Sequence, residues 1–206
     1  MKLYYAPGTC SLVPHIVLRE TGSVFSLARV DLKRHQVDGE GPLRDISTKD
    51  KVPVLALGGG RHLTEGPVIA QYIAERAGAD ELLPPPGDPG RYAVLEWQAF
   101  ISSELHKSFS PLFNPAVDRA GREVFLDELR RKFAWVDAAL TTRDYLALDR
   151  FTLADAYLFT VGGWAGLVGL DLSGLAGMQA HRARVAARPA VRAALQAEGL
   201  LKEPAA

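Results

Sequence analysis

The 206-residue chain has a single cysteine, Cys10, so it can form neither an internal disulfide nor a cysteine-based zinc cluster. Its five histidines (15, 35, 62, 106 and 181) never fall at metal-ligand spacing, so no metal is expected. Neither charge sign is in excess, with 24 Lys and Arg against 24 Asp and Glu. Neither part of the chain is lopsided either: residues 1–80 carry 10 basic and 9 acidic side chains and the remainder 14 and 15. A nucleic-acid partner calls for a basic stripe, so that class is set aside. Long apolar runs are also missing. The uncharged stretch from Ala156 to Leu170 has 15 residues and four glycines, too short for a bilayer, and reads as a buried helix. The opening MKLYYAPG lacks the apolar core of a signal peptide, so a cytoplasmic protein with no membrane partner is expected. Walker-type loops and GxSxG elbows are absent.

The apolar periodicity changes along the chain. Lys2–Tyr5 reads as a strand, Ala6-Pro7-Gly8 as a turn, and Ser11 to Thr21-Gly22 as a helix with Ser11 as its cap. Phe25–Leu32 is strand-like and leads into a polar loop; Val52–Leu57, three glycines and His62–Thr64 read as a hairpin; Val68–Ala77 returns to helical spacing. Residues 78–90, with three consecutive prolines, break the pattern. Beyond them the spacing is helical at roughly 90–114, 119–141, 152–168, 176–187 and 189–197, with Asp88-Pro89 as N-cap and first-turn pair. The expected architecture is an α/β domain over 1–80, a linker over 81–89, and an all-α domain over 90–206.

Five stretches are candidates for chemistry. Cys10, between a Pro-Gly turn and a helix, meets backbone N–H groups and the positive helix end, which favour thiolate; with Val13 in place of a second cysteine, internal dithiol chemistry is out. A packed, inert cysteine is equally compatible with the position. Val52-Pro53 opens a strand, where a cis bond would expose the Val52 backbone to an extended ligand; an ordinary edge proline is the simpler alternative. Glu65-Gly66 joins a strand to a helix N-terminus that offers N–H groups to a carboxylate, or is simply capped. Glu104 and His106, two apart on a helix, lie on different faces. Thr152 with Asp155 forms a capping box, a structural feature. The basic clusters Arg130-Arg131-Lys132 and Arg182, Arg184, Arg188 read as solvated faces.

Taken together, MKLYYAPGTCSLVPHIVLRE, KVPVL, LTEGPVIAQYIAE, ELHKSFSPLF, FTLADAYLFT and ARPAV, in this order, resemble a bacterial beta-class glutathione transferase over nearly the whole chain. The resemblance implies a thioredoxin-like N-terminal domain that binds glutathione and an all-helical domain that supplies a pocket for a small hydrophobic electrophile. It also implies a homodimer, and glutathione as co-substrate with no cofactor. By the same resemblance Cys10 lies near the glutathione sulfur, with Tyr5, Ser11 and His106 as further candidates to stabilise the thiolate and His106 facing Cys10. Val52, before a cis Pro53, pairs with the cysteinyl unit, and Glu65 with Gly66 holds the γ-glutamyl end. Ser103, Glu104 and Lys107 approach from the helical domain, partly across the dimer interface. Phe109, Phe113 and Trp164 form the electrophile pocket. Three positions depart from the family pattern: His35 stands where a lysine commonly meets the glycyl carboxylate, Ala99 where an asparagine is common, and Ser47-Thr48-Lys49-Asp50 in place of Asn-Pro-Lys-Gly. Loss of charge-assisted hydrogen bonds, roughly 1.5–3 kcal/mol each, implies weaker glutathione binding. Two other readings stay open: a glutathione-dependent disulfide or peroxide reductase working through Cys10, and a non-catalytic ligand-binding relative.

Overall fold

A computed structural model describes residues 1–201. The chain divides into two compact units, one of Met1–Asp80 with the stretch that starts at Ala187, the other of Glu81–Ala186. The expectation of a helical domain running from 90 to the end is thus corrected. The last helix belongs with the first unit, because its apolar Val191 and Ala194 are fully buried and it packs on the first helix.

In the first unit, β1 (Lys2–Tyr5), β2 (Ser26–Asp31), β3 (Gln36–Val37), β4 (Gly41–Pro42), β5 (Val54–Gly58) and β6 (Arg61–Thr64) form one mixed sheet in the order β4-β3-β2-β1-β5-β6. β1 runs parallel to β2 and antiparallel to β5, with Leu3 opposite both Leu27 and Leu55. Helices α1 (Leu12–Glu20), α2 (Leu43–Ile46) and α3 (Gly66–Ala77) complete the thioredoxin-like part, with α1 packed against α3. Alternation along the strands decides the faces: Tyr4, Ala28, Val30 and Val54 are buried in one cluster with Val37 and Leu43. The polar loop after β2 was expected to be irregular. It holds β3, β4 and α2, whose two- and four-residue lengths leave no periodicity to read.

In the second unit, α4 (Pro89–Phe100) starts at Asp88, whose carboxylate accepts the Gly90 N–H at 2.7 Å. The helix runs on without a break into a π turn, Ile101–His106, then α5 (Lys107–Phe109) and a 3₁₀ turn, Ser110–Phe113. Next come α6 (Arg119–Leu140), α7 (Leu153–Gly162), α8 (Ala165–Val168) and α9 (Ala176–Ala186); α10 (Pro189–Ala197) belongs to the first unit. Leu153–Val161 is buried without interruption, Asp155 being the one ionisable side chain in it. The expected single helix over 152–168 is two, since the chain turns at Gly163 and Trp164. The capping box is present, and Asp155 goes further: it also accepts the Leu146 N–H at 2.9 Å and pairs with His181 Nε2 at 2.9 Å. No helix of the described residues is long and apolar enough to cross a membrane.

Candidate active site

In the first unit, three segments far apart in sequence converge. The Val52–Pro53 peptide is cis. Cys10 Sγ donates to the Val52 carbonyl across 3.5 Å, and a Cβ placed on Gly66 would lie 3.8 Å from Pro53 Cγ and 3.9 Å from the Cys10 carbonyl oxygen. Glu65, at the head of α3, holds φ +68°, a conformation that costs a non-glycine residue roughly 1–3 kcal/mol and recurs at ligand sites. Its carboxylate pairs with Lys49 at 2.5 Å on the surface.

Burial pushes the Cys10 thiol up to about 11; the N–H groups of Cys10 and Ser11 pull the other way but are outweighed. The expectation that the helix end makes Cys10 itself a thiolate is therefore corrected. Cys10 is a neutral thiol and a hydrogen-bond donor at neutral pH. Ser11 is corrected too. Its hydroxyl makes no cap bond to α1 but accepts the Ala6 N–H and reaches the Ala6 carbonyl, both at 3.1 Å, pinning the turn before Cys10. Tyr5 is 8% exposed beside His15, and burial, with Glu198, raises its phenol above the ordinary value, so it holds its proton.

His35 Nδ1 lies 3.0 Å from Asp50 Oδ2, and both residues occupy left-handed backbone, at φ +54° and +51°. Asp50 Oδ1 is buried with no hydrogen-bond partner in the described structure. The Ser-Thr-Lys-Asp departure thus has a local consequence: its Asp50 carboxylate engages the imidazole that stands in the lysine position.

In the second unit Ser103, Glu104 and His106 lie on the π turn, with Lys107 directly after it; such a turn is a rare element that recurs at functional sites because it turns side chains off the α-helical register. Ser103 and Lys107 are exposed. Glu104 pairs with Lys132 of α6 at 3.0 Å, and that contact holds its carboxyl below the ordinary value. Lys132 also pairs with Glu128 and donates to the Glu104 carbonyl and Ser108 Oγ, each at 3.0 Å, so the solvated-face reading of 130–132 fails at this residue. His106 Nδ1 is 2.8 Å from the Tyr157 hydroxyl, and its ring meets Trp164 edge-on at 4.8 Å. Trp164 in turn touches Phe109 and Phe113. Of the three expected pocket residues only Phe113, 51% exposed, presents a broad face; Trp164 is 7% exposed and Phe109 fully buried behind them as a support. Ala99 is exposed.

Lys132, Tyr157 and Glu198 were not singled out from the sequence. Glu198 Oε2 accepts the Gly8 N–H at 2.8 Å, so the C-terminal end of the chain fastens the turn that precedes Cys10. The partners lie 190 residues apart and no local pattern links them.

A thioredoxin-like sheet carrying a Cys10, Val52-Pro53 and Glu65-Gly66 cluster, followed by a helical unit, defines the class. Residues 8–76 match the glutathione S-transferase N-terminal domain and residues 100–189 the C-terminal domain. The chain is 43% identical over 200 residues to the glutathione S-transferase GstA of Escherichia coli O157:H7, spanning 97% of this chain and 100% of that protein. It is 39% identical over 207 residues to GST-4.5 of Xanthomonas campestris pv. campestris, with coverage of 97% and 100%. Among solved structures, a ternary complex of BphK, a bacterial GST, superposes with a TM-score of 0.94 at 46% identity, covering 97% of this chain and 100% of that one. The beta-class enzyme of Sphingomonas chungbukensis gives 0.93 at 39%, covering 98% and 100%. The chain belongs to the glutathione S-transferase family, and within it to the bacterial beta class.

Proposed function

We propose that this protein conjugates glutathione to small apolar electrophiles. The observation that carries the reading is the convergence of Cys10, Val52-Pro53 and Glu65-Gly66, with the Cys10 sulfur donating to Val52 and Gly66 lying against both other segments. Two solved relatives support glutathione as co-substrate: a sphingomonad glutathione S-transferase complexed with glutathione, 40% identical, and a Sulfitobacter homologue with bound glutathione, 25% identical.

In this reading Val52 pairs through its backbone with the cysteinyl unit, and the α3 N-terminus with Gly66 takes the γ-glutamyl carboxylate. Glu65 exchanges Lys49 for the ligand ammonium. His35 meets the glycyl end with Asp50 at its back, and Ser103, Glu104 and Lys107 contact the tripeptide from the helical unit. The neutral Cys10 thiol turns its S–H from the Val52 carbonyl to the glutathione sulfur, and His106 acts at the same sulfur. Both favour thiolate in the ligand. The thiolate attacks the electrophilic carbon, a C–S bond forms, and the leaving group departs with its electron pair; on an aryl chloride that group is chloride. Proximity and the lowered thiol pKa supply the rate. Phe113 and Trp164, backed by Phe109, receive the apolar part of the electrophile. A cysteine that retains its proton to about 11 supports conjugation over a reductase cycle, in which Cys10 itself must be the nucleophile.

We further propose a cytoplasmic homodimer. The aromatic group of Trp97, Phe100 and Trp135, with Trp135 55% exposed, supports an apolar face for a second copy. Initial rates with 1-chloro-2,4-dinitrobenzene across glutathione concentrations test the function. A saturable, protein-dependent rate is expected, with weak half-saturation because of His35; a rate equal to the spontaneous reaction overturns the reading.

A further inference from the structure

Two of the non-glycine residues held in left-handed backbone, His35 and Asp50, face each other, and a backbone hydrogen bond pins each. The His35 carbonyl accepts the Leu43 N–H at 2.9 Å, and the Asp50 N–H donates to the Ser47 carbonyl at 2.8 Å. The side chains meet at 3.0 Å, Nδ1 to Oδ2. A carboxylate only accepts, so Nδ1 carries the ring proton. The outer nitrogen, Nε2, then has a lone pair to offer whenever the imidazole is uncharged. The His35 side chain is 46% exposed, and no described residue bonds Nε2.

The charge of the pair follows from this geometry. It is minus one with a neutral imidazole and zero with an imidazolium. Asp50 Oδ1 is buried without a partner in the described structure, so no second donor offsets the carboxylate. The neighbouring cations do not offset it either. Arg34 turns to Asp31 at 3.7 Å and Lys49 to Glu65 at 2.5 Å. Lys33, Arg44 and Lys51 are exposed, and none of them pairs with Asp50 among the described residues. A carboxylate that approaches the pair meets no net positive charge. An uncharged end that carries an N–H meets an acceptor in Nε2.

Resting on the glutathione reading above, which sets the glycyl end against His35, we propose that the His35–Asp50 pair makes the protein indifferent to the charge of that end. Its thiol co-substrates are then γ-glutamylcysteinylglycine with a free carboxylate and, equally, the C-terminal amide of that tripeptide, whose NH₂ group donates to His35 Nε2. Selection of the tripeptide falls to the Val52 backbone and to Glu65-Gly66, which meet the cysteinyl and γ-glutamyl groups that the acid and the amide share.

Glutathione and its glycinamide form test this on the full-length protein at pH 7, by titration calorimetry without an electrophile and by initial rates with 1-chloro-2,4-dinitrobenzene. Wild type is expected to bind the two thiols within about threefold of each other. Asp50→Asn removes the negative charge, and asparagine tolerates left-handed backbone, so the fold is kept. In that variant the acid should gain about threefold over the amide. His35→Lys combined with Asp50→Asn leaves an unopposed cation and should carry the preference for the acid to about tenfold, the effect of one charge-assisted contact. A wild-type binding preference for the acid well above threefold overturns the proposal and gives the carboxylate to a cation such as Lys51. An acid-to-amide ratio that Asp50→Asn leaves unchanged overturns it as well. If both thiols bind alike and neither reacts above the spontaneous rate, the proposal stands and the conjugation reading fails; if neither binds, both fall.

Discussion

His106 on the π turn and Tyr157 on α7 share a hydrogen bond of 2.8 Å between the imidazole Nδ1 and the phenol oxygen. Tyr157 is 2% exposed, so its hydroxyl is a fixed reference against which the imidazole is set. When the hydroxyl donates to Nδ1, the ring proton is kept on Nε2. Tyr157 is therefore a positioning residue for His106. Tyr157→Phe removes the bond and little volume. Conjugation kcat is expected to fall several-fold while the glutathione KM stays within about twofold, with a stability loss of roughly 1 kcal/mol. A variant that loses stability with kcat intact assigns Tyr157 to packing only.

Cys10 titrates where its surroundings put it. Burial raises the thiol to about 11, so the folded state prefers the neutral form. Its contribution to stability is fully present below the unfolded thiol value of about 8.5 and is lost as pH rises through 11. Alkylation by iodoacetamide of the ligand-free protein should then be slow at pH 7 and climb about tenfold per pH unit up to pH 10, since thiolate is the reacting species. A plateau reached near pH 7 contradicts the neutral donor assigned above.

Much of this was legible in the sequence where the controlling partners are close in the chain. The Asp88 cap, the Thr152 and Asp155 box, and the stop of α3 at Gly78 each depend on residues within a few positions of one another. The site motifs were legible through their order, and Cys10, Val52-Pro53 and Glu65-Gly66 do converge. What escaped depends on long-range burial. The direction of the Cys10 shift follows from desolvation, which no local pattern encodes, and so the helix-end argument named a true but smaller effect. The π turn escaped because its six residues differ from an α-helix in register and not in composition. Lys132 escaped because a lysine directly after two arginines reads as surface, whereas its ammonium reaches Glu104, 28 positions earlier.

Lys132 and Glu104 supply a pH-dependent pair. Lys132 depresses the Glu104 carboxyl, so the pairing is present above the ordinary carboxylate range and fades as pH falls through the lowered value. Lys132→Met is expected to raise the Glu104 titration toward the ordinary carboxylate value, with the Ser103 hydrogen bond still holding it down in part, read from its side-chain carboxyl resonance by NMR. The glutathione KM should rise by a few-fold, since Glu104 loses the cation that holds it on the π turn. An unchanged Glu104 titration removes Lys132 from the account.

The strongest stability test lies at Glu198. Its side chain is fully buried, with Oε1 2.8 Å from His15 Nδ1 and Oε2 accepting the Gly8 N–H, while Arg19 Nε donates to His15 Nε2 at 3.0 Å. Because Nε2 accepts from Arg19, Nδ1 carries the ring proton and donates to the carboxylate. Glu198→Ala leaves the buried His15 donor without its carboxylate and removes the tie to the Gly8 N–H, and should cost roughly 3–5 kcal/mol, read as a large drop in the urea midpoint. Glu198→Gln keeps an acceptor and should cost roughly 1–3 kcal/mol. The double variant His15→Phe with Glu198→Leu removes the charge and its buried partner together. It should be more stable than Glu198→Ala despite carrying two changes, because an unpaired buried polar group costs more than a missing pair. If the double variant instead loses the sum of its single losses, His15 and Glu198 contribute independently and the turn before Cys10 is held by other contacts.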